Sequence, residues 1–127
     1  MFARKVTARL KSNSLAEFSH LVESKILPWL RTQQGFQDLI ILAVTDGSEV
    51  TTISFWDHEA NAQAYDSTGY PEVLTTLGEL LDSTPYVKTF EVVSSTLQTL
   101  NGVGRAVGNE ERETAPAHRT RIVEHFP

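Results

Sequence analysis

Residues 39–56, LIILAVTDGSEVTTISFW, decide the fold. Leu39 to Val44 is an unbroken apolar run. In an extended chain it places Leu39, Ile41 and Ala43 on one side and Ile40, Leu42 and Val44 on the other. Asp46-Gly47 is a strong hairpin signal, because a tight turn needs backbone angles that glycine adopts freely. Glu49 to Trp56 is rich in β-branched residues and reads as the returning strand. The hairpin therefore contains a strand with no polar face.

Upstream, residues 2–10 alternate. Phe2, Arg4, Val6, Ala8 and Leu10 share one side, while Lys5, Thr7 and Arg9 share the other, which predicts a first strand. Ser12-Asn13-Ser14 offers capping side chains, with Glu17 at capping-box distance from Ser14. Leu15, Phe18, Val22, Ile26 and Trp29 then recur at helical spacing. Pro28 is expected to kink or shorten the last turn, and Gly35 to serve as a left-handed cap. Downstream, Asp57 is placed to cap a short helix from His58 to about Tyr65. Ser67-Thr68-Gly69 forms a turn, and Pro71 suits the start of a further helix with Val73, Leu74, Leu77, Leu80 and Leu81 as its buried stripe. Pro85 breaks that helix, and Tyr86 to Ser94 alternates as a fourth strand.

The order β-α-β-β-α-β is the ferredoxin-like pattern of the α+β class, with an antiparallel sheet. Its helices cover one face of the sheet only. Leaving the second apolar side of Leu39–Val44 in water would forfeit about 1.5–3 kcal/mol for each large side chain. A second copy packed face to face removes that cost, so the pattern predicts a homodimer completed as a dimeric α/β barrel.

The length, 127 residues, fits one domain, divided here into residues 1–100 and a C-terminal tail, residues 101–127. Residues 1–100 carry seven Lys/Arg against twelve Asp/Glu, whereas residues 101–127 carry four of each. The acidic body lacks the basic stripe that a nucleic-acid partner requires. No cysteine is present, which removes disulfides, thiolate catalysis and thiolate metal sites. The N-terminus has no apolar segment of signal-peptide length and no run could span a bilayer, so no membrane partner and a cytoplasmic location are the expectation. In the tail, Gly102 to Gly108 reads as a linker and Glu110 to Glu113 as a charged stretch. His118 to Phe126 becomes strand-like again, either as a flexible end or as an arm laid on a partner subunit or a sheet edge. The tail glycines imitate a nucleotide loop but open no apolar helix.

Residues 26–65, ILPWLRTQQGFQDLIILAVTDGSEVTTISFWDHEANAQAY, resemble the antibiotic-biosynthesis-monooxygenase-like family of dimeric α/β barrels. The matching features are Gly35-Phe36 before the second strand, Trp56 closing the third, and Glu59, Ala60 and Tyr65 in the short helix. Coverage runs over roughly residues 2–95. The resemblance implies the dimeric barrel, a pocket between helices and sheet for a hydroxyaromatic or other apolar ligand, and oxidoreductase chemistry of the monooxygenase type without metal or other cofactor. Proton acceptors and hydrogen-bond donors for a developing oxyanion would come from the protein. Trp56 and Tyr65 match the motif and are the catalytic candidates. The haem-degrading branch needs an axial histidine, and none lies between His58 and His118.

Each candidate has a plainer reading. Trp56 at a strand end reads first as a core residue, and the Tyr65 ring could simply pack with its hydroxyl wet. Tyr70 is a weaker version of the same case. Arg9 could anchor a carboxylate or phenolate, or pair across strands with Glu91. His58 lies near the expected pocket mouth but also at a helix start on the surface. His20 falls on the solvent side of its helix, and Trp29 on the buried stripe. No metal-ligand spacing occurs among the histidines and acids. Three functions follow: a cofactor-independent monooxygenase or related small-molecule enzyme, a binding or sensing module of the same fold without turnover, and an interaction protein organised by its dimer and tail.

Overall fold

A computed structural model describes residues 1–96 and 120–124. The readings made on Gly102 to Gly108, on Glu110 to Glu113, on His118 and on the boundary at residue 100 lie outside the described residues. Strand β1 (Phe2–Arg9) leads to a continuous helix, α1, over residues 15–30. Strands β2 (Phe36–Ala43) and β3 (Glu49–Trp56) form the hairpin, followed by α2 (Glu59–Thr68) and α3 (Tyr70–Leu77). Strand β4 (Tyr86–Glu91) completes the four-stranded antiparallel sheet, in the order β4-β1-β3-β2. This is the ferredoxin-like α+β fold that the hairpin and its flanking stripes predict. A further strand, β5 (Thr120–Glu124), pairs in parallel with the outer edge of β2, Ile122 opposite Ile41. Of the strand-like end of the tail, Thr120–Glu124 thus lies on a sheet edge.

Helix α1 passes its proline without stopping. The stretch Val22–Ile26 is π-helical, and the Leu27 N–H bonds to the Val22 carbonyl. Pro28 has no N–H to give and its ring crowds the preceding turn; the widened turn absorbs this, and the helix runs on to Leu30. Gly35 is therefore not the helix cap. Its φ of 85° makes the turn into β2, and its carbonyl accepts the Asp57 N–H at 2.9 Å, tying the start of β2 to the end of β3. Two other caps also differ from expectation. Ser14 occupies the N-cap position of α1 without a side-chain cap bond, and the residue at the α2 N-cap is His58. Asp57 instead accepts a hydrogen bond from the Asn61 amide at 2.8 Å.

Where the sheet meets the helices, alternation sorts the side chains. Phe2, Ala8, Leu39, Ile41, Ala43, Val50 and Trp56 join Phe18, Val22, Ile26 and Leu77 in the main core. The register slips between Phe36 and Asp38, so Phe36 and Leu39, three positions apart, reach the same face. The opposite face carries Ala3 and Phe55 with Met1, Ile40, Ile53 and Val92 around them. No element among the described residues covers it, and Phe90 is 41% exposed there.

Candidate functional site

A cavity lies between the sheet and the helices. Val6 and Ala8 of β1, Leu39 of β2 and Val50 of β3 form its floor, and Phe18, Val22, Ile26 and Leu30 of α1 form one wall. Val73, Leu74 and Leu77 of α3 form another. The space measures about 630 Å³ when the solvent at its open mouth is counted. The π-helical turn of α1 contributes Val22 and Ile26 to the wall.

The polar groups gather around Arg4. It sits mid-strand on the cavity face of β1 and is 2% exposed, a strongly unfavourable place for a charge without partners. Its Nη2 donates to Asp66 Oδ1 from the outer part of α2, whose side chain is 54% exposed. The guanidinium carbon lies 3.9 Å from the Tyr70 ring centroid and 5.2 Å from that of Tyr65, within cation–π distance of both. Arg4 Nε is buried and finds no acceptor among the described residues.

Behind these groups stands an aromatic stack. Tyr65 lies 5.0 Å from Trp56 in a stacked arrangement and 6.0 Å from Trp29, and Phe36 meets Trp56 edge-on at 5.6 Å. Trp56 is fully buried, and its Nε1 donates to Ser54 Oγ at 2.9 Å. Ser54 Oγ in turn reaches the Arg4 carbonyl at 3.4 Å. Gly69 allows α2 and α3 to close over this stack: a β-carbon there would stand 2.4 Å from the Trp29 ring. Burial pushes the Tyr65 phenol far above its ordinary range, against the lowering pull of Arg4. Tyr70 is raised for the same reason and is likewise opposed by Arg4. Both tyrosines are therefore neutral hydrogen-bonding groups near pH 7, and Arg4 is the charge of the site.

The structure brings together Tyr65 and Tyr70, both on the cavity lining. Trp56 is not on that lining; it backs Tyr65 from the core. Arg9 is exposed and points to the other face of β1, opposite Glu49 rather than Glu91, which lies opposite Phe2. His58 is exposed at the start of α2, away from the lining. Arg4 had no place among the candidates. The available signal was a charge on an otherwise apolar strand face, between Phe2 and Val6. Among the described residues no three histidine or acidic side chains come together as metal ligands, and no helix is long and apolar enough to cross a membrane.

No protein-family model matches the chain, and no curated protein matches it in sequence. Solved structures do. A protein of unknown function from Nitrosomonas europaea superposes with a TM-score of 0.64 at 22% identity, covering 76% of this chain and 92% of the other. A monooxygenase from the ActVA-Orf6 gene of Streptomyces coelicolor, in complex with nanaomycin D, gives 0.65 at 21% identity, covering 76% and 90%. An antibiotic biosynthesis monooxygenase gives 0.61 at 11% identity, covering 74% and 100%. The resemblance read from residues 26–65 thus extends to structure, and at these identities it establishes the fold.

Proposed function

We propose that this chain is a cofactor-independent monooxygenase acting on a hydroxyaromatic substrate held in the cavity. The observation that carries the reading is the convergence of Arg4, Tyr65 and Tyr70 at the polar end of a largely apolar cavity. The monooxygenase neighbour solved in complex with nanaomycin D lends it further support.

In this reading the apolar walls hold the ring system and exclude water, while Arg4 receives the substrate oxygen. A fixed guanidinium in a dry site favours the ionised form of a bound phenol and so its carbanion-like resonance form. That carbon reacts with dioxygen: one oxygen atom becomes its carbonyl oxygen, and the other leaves as water. The substrate, oxidised from C–H₂ or aromatic C–H to C=O, supplies all four electrons and both hydrogens of the water. Tyr65 and Tyr70, kept protonated by burial, serve as hydrogen-bond donors rather than bases. Trp56 holds the Tyr65 ring in place. The working unit in this proposal is a cytoplasmic homodimer built on residues 1–100, its sheets packed through the face that bears Ile40, Ile53 and Phe55.

Binding without turnover is the second reading, and one observation favours it. Among the described residues no carboxylate or imidazole lines the cavity, so no side chain with an ordinary pKa near neutrality stands ready to take a proton. Oxygen uptake by the purified protein on a panel of hydroquinones and anthrones separates the two. Enzyme-dependent uptake that falls at least tenfold in Arg4→Met, with the fold intact, supports the oxygenase. Ligand binding without uptake on any substrate supports the binding module.

A further inference from the structure

We propose that the cavity takes its ligand as an apolar monoanion, whose ionised oxygen is received by the buried Nε–H edge of Arg4 in competition with Asp66. This deepens the reading of the cavity as a ligand site and does not depend on turnover. The argument begins with an imbalance at Arg4. Its guanidinium carbon lies over the Tyr70 ring at 3.9 Å, and its Nη2 is engaged by Asp66. The Nε–H is buried without an acceptor, on a residue that lines the cavity. A buried donor left unpaired is costly, and the loss is largest for a charged group. An acceptor arriving from the cavity side would remove that deficit.

Charge decides which acceptor. Arg4 is the sole charged residue of the lining among the described residues, so the interior of the cavity is electropositive. Its counter-ion, Asp66, stands outside the lining and half in water. A solvated carboxylate on the far side neutralises Arg4 only in part, because water screens it. An anion inside the cavity faces the same guanidinium with far less screening. The rest of the lining is aliphatic or aromatic apart from Thr52, Ser54 and the tyrosine hydroxyls, which fits a single anionic oxygen on an apolar body.

Calorimetric titration with matched pairs tests this. The pairs are 2,4-dinitrophenolate with 2,4-dinitroanisole, and 1-naphthoate with 1-naphthamide, against wild type, Arg4→Met and Asp66→Asn. In wild type, at least one anion should bind roughly ten- to a hundredfold more tightly than its neutral partner. Preference confined to the phenolate identifies an ionised hydroxyaromatic ligand; preference confined to the naphthoate identifies a carboxylate. In Asp66→Asn that ratio should widen, since the competing carboxylate is gone. In Arg4→Met it should collapse to about one. Equal or tighter binding of the neutral partners, a preference that survives in Arg4→Met, or no binding of any probe would overturn the proposal. Because no oxygen is consumed in the titration, anion recognition can stand while the oxygenase reading fails.

Discussion

The Arg4 guanidinium carbon rests 3.9 Å from the centroid of the Tyr70 ring, a contact that joins the third residue of β1 to the first residue of α3. Arg4 is buried and Tyr70 half-buried, so the contact should contribute measurably. A double-mutant cycle of Arg4→Met and Tyr70→Leu, read by urea unfolding, should give a coupling of about 0.5–2 kcal/mol. A coupling of zero would mean that the ring merely lies near the cation.

Trp56 fills the space behind Tyr65 and shows no exposed surface. Trp56→Ala should lower stability by about 3–5 kcal/mol through the cavity it leaves. Trp56→Phe should lower it by much less and free Ser54 from its indole donor. Thermal and denaturant unfolding of both variants check the order.

Glycines give a contrast of sign. Gly35 has φ 85°, and a β-carbon there would stand 2.4 Å from Asp57 Oδ1. Gly78 lies at φ −55° and meets nothing within 4 Å. Gly35→Ala should destabilise by more than about 1 kcal/mol, whereas Gly78→Ala should stabilise by about 0.4–1 kcal/mol. Melting temperatures moving in the same direction would contradict the local geometry.

Alkaline pH should expose the buried phenol. Burial raises the folded-state pKa of Tyr65 above its unfolded value, so folding favours the protonated form. That contribution is complete below about pH 10, the unfolded value, and is lost as pH rises towards the folded value. Tyr65→Phe removes the linkage. Its urea midpoint should therefore fall less steeply than that of wild type between about pH 10 and 12.

The face bearing Ile40, Ile53 and Phe55 tests the dimer. Ile53 is half-buried there beside Phe55. Ile53→Asp should shift the sedimentation of a dimeric wild type to that of a monomer, with helical circular dichroism retained. Unchanged sedimentation would place the interface elsewhere.

Much of this architecture is local information. The two-sided apolar run Leu39–Val44, the Asp46-Gly47 turn and the stripes of Phe18, Val22 and Ile26 announce their elements because periods of two and of three to four are properties of the backbone. The hairpin appears with β3 at Glu49–Trp56, as read. Local signals misjudged the caps, because Gly35 answers to Asp57 across the sheet and Pro28 to the π-helical turn before it.

At the cavity, the tyrosines were legible as residue types that combine a ring with a donor. The charge was not. Arg9 drew attention because it stood on the more polar side of β1, yet that side faces away from the helices. Arg4 looked like an irregularity in an apolar stripe until α2 brought Asp66, sixty-two residues away in sequence, to its guanidinium. Periodicity alone determined which residues share a face. Only the packing of α2 and α3 over β1 decided which of them meet, since a buried charge draws its partners from whatever the fold carries past it and not from its neighbours in the chain.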